Sequence, residues 1–395
     1  MVPMRITGVR ATPLAVPFVT DEVWAYGRRS GLISVLVEVD TDEGTVGIGE
    51  AAAYPSTDIV LAVLRAVEPL VVGEDPFRIE RISKRINVVG TWHHVKATSP
   101  AIAAVEMACW DIVGKTCGQP LVNLFGGRVR DEVEYFYYLG QRPPEELVDA
   151  AEAGREQGFR TFYLKVGSDD PRIDVARVEA IRKGAGDDAL IRVDANEAWS
   201  SAAAIRIIRE MEQIGLELVE QPVSGRNLAE MAYVRGQIAT PLLANEASWT
   251  RWDQLAVIQH GAADAVSVDN QMDGGLANLR HGAALCEVAG LPVLKHSLGE
   301  LGIATYAGLH VLAATPNVTY ASQGYGSLLA DDIVADRSPL PYVDGRLAVP
   351  DAPGIGVELD PDRVARAAER YEREADAYAF HDPNAMAATP VLPKF

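Results

Sequence analysis

Three features of the 395-residue chain predict an α/β fold in which an α+β region precedes a closed βα barrel. The first is a trio of apolar bursts, ALIRVDAN, LELVEQP and TPLLANEA, that carry Asp194, Glu220 and Glu246 at intervals of 26 residues. One strand, one helix and two short loops fill about that length in a βα barrel. The second is the alternation of strand-like and helix-like patterns from residue 120 onward, with eight strands in all. The third is the order before that point, strands first and then helices, which is the α+β order.

Taken in order, residues 4–18 read as an extended strand, and residues 30–40 and 46–52 as two more joined by the turn signal TDEG. A polar loop, VTDEVWAYGRRS, is expected between residues 18 and 31. Helical patterns follow at 57–72, 76–89 and 99–118. In the last, Ser99 is placed to cap, Pro100 to fill the first turn and Gly118 to close. Barrel strands are expected at 133–139, 161–166, 190–194, 216–220, 241–245, 265–268, 292–295 and 318–321, with helices such as 200–214 and 275–289 between them. Residues 336–358, rich in Pro and Gly, read as a linker. Residues 360–378 read as an amphipathic helix, and the remainder as extended.

Charge and cysteine usage narrow the class. Lys and Arg number 36 against 55 Asp and Glu, a net charge of −19, so nucleic acid and anionic membrane surfaces are not expected partners. Cys109, Cys117 and Cys286 form no CxxC, which suits reduced thiols and a cytoplasmic protein. The start MVPMRITGVR has no apolar signal region, and no apolar run is long enough to span a bilayer.

The barrel strand ends carry the chemistry. A lone acid there is more often a helix cap or a solvated loop charge, but three acids in one phase converge on the face where barrel active sites lie. Three converging carboxylates repel one another, and a hard divalent cation removes the problem. Oxygen ligands without Cys or His point to Mg²⁺. Other strand ends fall close to the same repeat: Lys165 on the second strand, Asp269 on the sixth and His296 on the seventh. Asp269 beside His296 would fix the tautomer of the imidazole. Weaker signals are set aside. GIGEAA at 47–52 matches G-x-G-x-x-A but sits in a hairpin and reads as turn chemistry. His93-His94 lacks an accompanying carboxylate cluster, and Gly324 and Gly326 lack the basic residue of a phosphate site.

With these residues in place the chain resembles the enolase superfamily, in its mandelate racemase and muconate-lactonizing branch. Asp194, Glu220 and Glu246 match the metal ligands in VDAN, VEQP and ANE. Lys165 matches the second lysine of the K-x-K motif, and Asp269 and His296 match the Asp–His dyad of the mandelate racemase type. The resemblance implies a modified TIM barrel, (β/α)7β, at 127–358. An N-terminal α+β capping domain at 1–126 would be completed by the C-terminal segment 359–395. It also implies Mg²⁺ as cofactor, a small carboxylate as substrate and a homo-oligomer. Two positions depart from the family. Tyr163 stands where the first lysine belongs, so a lowered pKa at Lys165 would rest on the metal and on burial. Ser322 stands where the mandelate enzyme has a glutamic acid. The cap loops would contribute Trp24, Tyr26 and Tyr54, with Arg28 and Arg29 nearby. Tyr163, Ser322 and Asn196 complete the candidate substrate contacts.

The implied reaction removes the proton next to a metal-bound carboxylate to give an enolate, with Lys165 on one face and His296 on the other. A racemase, epimerase or cycloisomerase is the leading expectation. A dehydratase of an acid sugar or hydroxy acid uses the same tools. A non-catalytic, metal-dependent carboxylate-binding protein is the alternative from another class, motivated by Tyr163 and Ser322.

Overall fold

The computed structural model describes residues 4–91, 95–335 and 340–378. The cap opens with an antiparallel meander, β1 (Ile6–Trp24), β2 (Gly27–Thr41) and β3 (Val46–Ala52). It continues with α1 (Thr57–Val71), α2 (Ile79–Thr91) and α3 (Val95–Cys117). The meander lays one apolar face on α1 and α3, and Leu14, Val16, Leu32, Leu36 and Ile48 join the larger core shared with the barrel. β3 packs so tightly on α3 that a Cβ at Gly47 or Gly49 would come within 2.1 Å of the Ala108 carbonyl oxygen or 2.0 Å of that of Ala104. That close approach accounts for the glycines of GIGEAA.

Two cap expectations are corrected. The loop at 18–31 is instead the tip of the β1–β2 hairpin, with Glu22 paired to Arg29 and Trp24 to Gly27 around the turn at Ala25 and Tyr26. Its polar sequence reflects a ribbon that leaves the sheet, where no alternating buried face marks it as strand. The helix assigned to start at Ser99 begins by Val95, so Pro100 lies inside it. Proline forfeits one backbone hydrogen bond there, but every residue from Thr98 to Cys109 is buried, and packing outweighs that loss. His93-His94 lies outside the described residues, as does the segment beyond 378.

The chain then enters the barrel through α4 (Leu121–Leu124), β4 (Glu132–Glu134) and β5 (Tyr137–Leu139). Six βα units follow α5 (Pro144–Glu156): β6 (Thr161–Lys165) and α6 (Pro171–Ala185); β7 (Leu190–Asp194) and α7 (Ser201–Glu212); β8 (Leu218–Glu220) and α8 (Leu228–Arg235). The next are β9 (Leu242–Ala244) and α9 (Arg251–His260); β10 (Ala265–Val268) and α10 (Leu276–Val288); β11 (Val293–Lys295) and α11 (Gly302–Ala313). Strands β5 to β11 form one parallel sheet in sequence order. The single strand expected at 133–139 is split, and β4 pairs antiparallel with β12 (Arg346–Ala348), which lies within the supposed linker.

No regular strand forms at 318–321. The segment instead ties the two sheet edges together through backbone bonds. Val293 N–H donates to the Asn317 carbonyl (3.0 Å) and Gln323 N–H to that of Lys295 (2.8 Å). On the other side Phe136 N–H donates to Ser322 (3.1 Å) and Ser322 N–H to Glu134 (2.8 Å). The result is a modified (β/α)7β barrel whose eighth position is a stitched seam. Finally α12 (Pro361–Tyr378) returns to the cap, where Arg370 Nη1 donates to the Ala15 carbonyl (3.3 Å). Among the described residues no helix is long and apolar enough to cross a membrane.

Candidate active site

Parallel register places the acids. Lys165 pairs with Asp194 across β6–β7, and Asp194 with Glu220 across β7–β8, so three strand-terminal residues lie side by side. Glu220 is level with Leu243 on β9, so Glu246 is three residues further on and belongs to a 3-10 turn, Glu246–Ser248. The equal spacing of 26 therefore does not mark equal positions. The turn, not the strand end, brings Glu246 back over the other two. Backbone strain gathers at the same mouth: Asn196, Glu197 and Gln221 have φ of 44°, 65° and 34°. Non-glycine residues hold such angles only where surrounding structure enforces them.

The acids, Lys165 and Tyr163 form one buried cluster. Lys165 Nζ donates to Asp194 Oδ2 at 2.5 Å and to Tyr163 Oη at 3.1 Å, and Tyr163 Oη donates to the same Oδ2 at 2.5 Å. Asn196 bridges, its N–H on Asp194 Oδ1 (2.8 Å) and its Nδ2 on Glu246 Oε1 (2.9 Å). Burial, reinforced by the charge of Asp194, pushes the Glu220 carboxyl well above the usual range and that of Glu246 up to about 8. For Lys165 the expected lowering is reversed. Burial works to lower its pKa, but the charges of Asp194 and then Glu220 outweigh it and hold the ammonium above the ordinary lysine range. A cation shared by those carboxylates would cancel that pull.

Beyond β10 and β11, His296 Nδ1 lies 3.0 Å from Asp269 Oδ2. The other oxygen, Asp269 Oδ1, accepts from the N–H groups of Gln271 and Met272 (3.1 Å for Met272). A carboxylate oxygen accepts, so Nδ1 carries the proton and Nε2 is the nitrogen left for chemistry. The adjacent Lys295 turns outward instead. It is fully buried, pairs with Glu300 and donates to the His296 carbonyl (3.1 Å).

A cavity of about 120 Å³ joins these groups, with Lys165, Glu246, Asn196 and His296 in its lining. The cap and its neighbours add Trp24, Tyr54, Trp249, Leu298, Gln323 and Tyr325. The candidate substrate contacts therefore divide. Trp24, Tyr54 and Asn196 line the cavity, whereas Tyr26, Tyr163 and Ser322 do not. Tyr163 is buried in a stack on Phe136 (4.4 Å, 7°), and Ser322 Oγ accepts from the Lys295 N–H (3.2 Å) in the barrel seam. Neither departure from the family pattern faces the cavity.

Glu22 escaped sequence reasoning because it lay in a supposed loop. Its carboxylate is buried at the cavity edge, bound by the Arg29 guanidinium (5% and 4% side-chain exposure), by Tyr138 Oη and by Tyr325 Oη at 2.9 Å. Burial works to raise its pKa, but Arg29 and Lys165 outweigh that and hold it below the usual range. The alternation of Glu22 and Arg29 about an aromatic tip was the one signal available. Arg28 instead pairs with Asp21 at the surface.

Among the described residues no three Asp, Glu, His or Cys side chains are gathered tightly enough to hold a metal ion as they stand. The donor set nevertheless fits a hard cation. Glu220 Oε1, Glu246 Oε2, Asn196 Oδ1 and Asn245 Oδ1 are buried acceptors with no hydrogen-bond partner among the described residues. A cluster of orphaned oxygens beside repelling carboxylates asks for positive charge, and all-oxygen ligation suits Mg²⁺.

Residues 8–126 match the family model described as mandelate racemase / muconate lactonizing enzyme, N-terminal domain, and residues 146–363 the model described as enolase C-terminal domain-like. The chain is 29% identical to the N-succinyl-L-Arg/Lys racemase of Bacillus cereus, over 91% of this chain and 97% of the relative. It is 30% identical to muconate cycloisomerase 1 of Rhodococcus opacus, over 92% of this chain and 98% of the relative. A solved enolase from Thermobispora bispora complexed with magnesium and formate superposes with a TM-score of 0.85 at 32% identity, covering 94% of each chain. Further relatives are named epimerase and dehydratase. The chain is an enzyme of the enolase superfamily and belongs to its mandelate racemase/muconate-lactonizing family.

Proposed function

We propose that the protein is a Mg²⁺-dependent racemase, epimerase or cycloisomerase of a small carboxylic acid, acting by removal of the proton on the carbon next to the carboxylate. The observation that supports this reading is that Lys165, on β6, and the Asp269-supported His296, after β11, line one cavity together with Glu246. Asp194, Glu220 and Glu246 would hold the cation. When bound, it would offset the negative charge that develops on the substrate carboxylate. Lys165 Nζ takes or returns a proton on one face of the carbon and His296 Nε2 on the other. Asp269 holds the imidazole in the tautomer that leaves Nε2 available. Trp24, Tyr54 and Trp249 exclude water from above and pack on the body of the substrate. Among the described lining residues the basic side chains are Lys165 and His296, both assigned to the proton transfer, which favours a substrate without a second anionic group.

Deuterium uptake tests the reading. A panel of chiral monocarboxylates in D₂O with Mg²⁺ should include one that exchanges its α-proton. Lys165→Ala should then remove exchange from one enantiomer and His296→Asn from the other, each by about 10²–10⁴-fold. No exchange on any member overturns the reading. Exchange of both enantiomers with only leaving-group loss sensitive to His296→Asn would make the enzyme a dehydratase.

A further inference from the structure

We infer that two buried cap carboxylates, Glu50 and Glu106, are positioning residues that set the Asp269–His296 dyad from outside the barrel. The inference rests on the reading that this dyad is one of the two acid/base groups. Barrel helices are normally capped by their own N-terminal side chains, and four here are. Asp170 caps α6, Ser200 caps α7, Asn227 caps α8, and Thr250 caps α9 with a full capping box. The two helices that follow the dyad loops have no such cap. α10 opens on Gly275 and α11 on Leu301, neither with a side-chain bond to its first turn.

The cap domain supplies what they lack. Glu106, on α3, accepts from Leu276 N–H (Oε2, 2.8 Å) and Ala277 N–H (Oε1, 3.0 Å), with Trp110 Nε1 as a third donor (2.8 Å). Glu50, on β3, accepts from Leu301 N–H (Oε1, 2.7 Å) and Ala304 N–H (Oε2, 2.9 Å), with Ser34 Oγ as a third donor (2.8 Å). Each carboxylate thus satisfies two orphan donors and faces the positive end of a helix. The effect passes to the dyad over short covalent distances. Asp269 precedes α10 by a six-residue loop, and that loop is tied to the cap by Ala52 N–H on Gln271 Oε1 (2.6 Å). His296 precedes α11 by a comparable loop. The loop after Asp269 is braced to the first turn of α11 by Asn270 Nδ2 on the Ala304 carbonyl (3.2 Å). Glu50 is the acid of GIGEAA, so the motif combines glycines that let β3 reach α3 with a side chain that reaches α11.

The test uses the full-length, Mg²⁺-supplied protein labelled with ¹⁵N at histidine. The Nδ1–H resonance of His296, identified by its loss in His296→Asn, reports the bond to Asp269 Oδ2. Glu50→Gln and Glu106→Gln should shift or broaden that resonance, and should lower exchange on the His296 face about tenfold to a hundredfold with the Lys165 face changed less than about twofold. Asn227→Ala, which removes a local cap on the metal side, should leave the resonance in place. Should either Glu variant fail to fold, Ser34→Ala and Trp110→Phe, which each remove one donor to the same carboxylate, should move the resonance in the same direction. An unchanged resonance in these variants, or an equal disturbance in Asn227→Ala, overturns the inference. A panel showing no α-proton exchange while the resonance responds as expected would instead overturn the functional reading and leave the positioning intact.

Discussion

The barrel mouth has two halves that are held by different means. On the metal side, β7 and β8 end in Asp194 and Glu220, the turn after β9 carries Glu246, and the helices that follow begin with their own caps. On the dyad side, β10 and β11 lead to Asp269 and His296, and the helices after them begin on residues of the cap domain. The helix starts on the metal side are therefore built from local sequence, and those on the dyad side are supplied by the docked cap. One consequence is that the helix start behind His296 is anchored by cap carboxylates, whereas on the metal side the cap reaches Glu246 through a longer bond, from Lys96 Nζ to the Glu246 carbonyl (3.5 Å).

The largest effect that would break this contrast lies on the metal side. Glu220→Ala or Glu246→Ala should abolish Mg²⁺ binding and α-proton exchange, while circular dichroism stays that of the parent, because the local caps still hold the helices. Excess EDTA should do the same to the parent protein. Full activity in EDTA would remove the three-acid site. Glu50→Gln, by contrast, should leave Mg²⁺ affinity within about twofold, since no metal-side element rests on it.

A second effect follows from the charge stored in the cluster. Glu220 and Glu246 have raised pKa values in the folded chain, Glu246 moving from 4.5 to about 8. A raised carboxyl contributes stability below its unfolded value, and that contribution is lost as pH climbs through the folded value. In EDTA the unfolding midpoint should fall between about pH 5 and 8. Mg²⁺ binds the deprotonated pair and offsets the loss, so the midpoint shift it causes should grow across that window. Glu50 and Glu106, also raised by burial, to about 8 and about 7, titrate in the same direction. Because they touch no metal-side group, the difference between Mg²⁺ and EDTA curves isolates Glu220 and Glu246. A Mg²⁺ shift independent of pH would mean that these carboxyls do not face the ion.

How much of this was legible in the chain follows the same divide. Asp194, Glu220, Asp269 and His296 announce themselves because each ends an apolar strand, and a period set by one βα unit is a local property. Glu246 shares the spacing for a different reason, since it lies in a turn and not at a strand end. Residues 318–321, within the seam, read as a strand because their composition is that of one. The seam's bonds go to two different edges, and pairing of that kind leaves no period. Glu22, Glu50 and Glu106 were missed because each acts at an element distant in sequence. A buried acid on a strand or an apolar helix is a visible anomaly, yet nothing in local pattern says which helix it caps.

Tyr163 gives a smaller effect, about tenfold. Its hydroxyl donates to Asp194 and accepts from Lys165 while its ring is stacked out of the cavity. Tyr163→Phe keeps the stack and removes both bonds, but Lys165 and Asp194 keep each other, so the net cost is that of about one hydrogen bond to a charged group, about 1.5 kcal/mol. The loss should appear in kcat on the Lys165 face, with KM changed little. A change confined to KM would make Tyr163 a substrate contact after all.

The smallest effect sharpens the contrast most directly. Ser200 and Asn227 cap α7 and α8 through bonds to Ala203 N–H (3.4 Å) and Glu230 N–H (3.2 Å). Replacing either by Ala leaves one first-turn donor to water and should cost about 1 kcal/mol, seen as a lower unfolding midpoint of the Mg²⁺-supplied protein. Activity should be unchanged on both faces. Asp194 and Glu220 are fixed by register with neighbouring strands and by Lys165, Tyr163 and Asn196, not by the helix that follows. If the local caps altered turnover as strongly as Glu50→Gln, every helix start would matter equally to the mouth, and the two halves would not differ in kind. If they changed stability alone, loss of a cap would separate cleanly from loss of the cap domain's grip on the dyad.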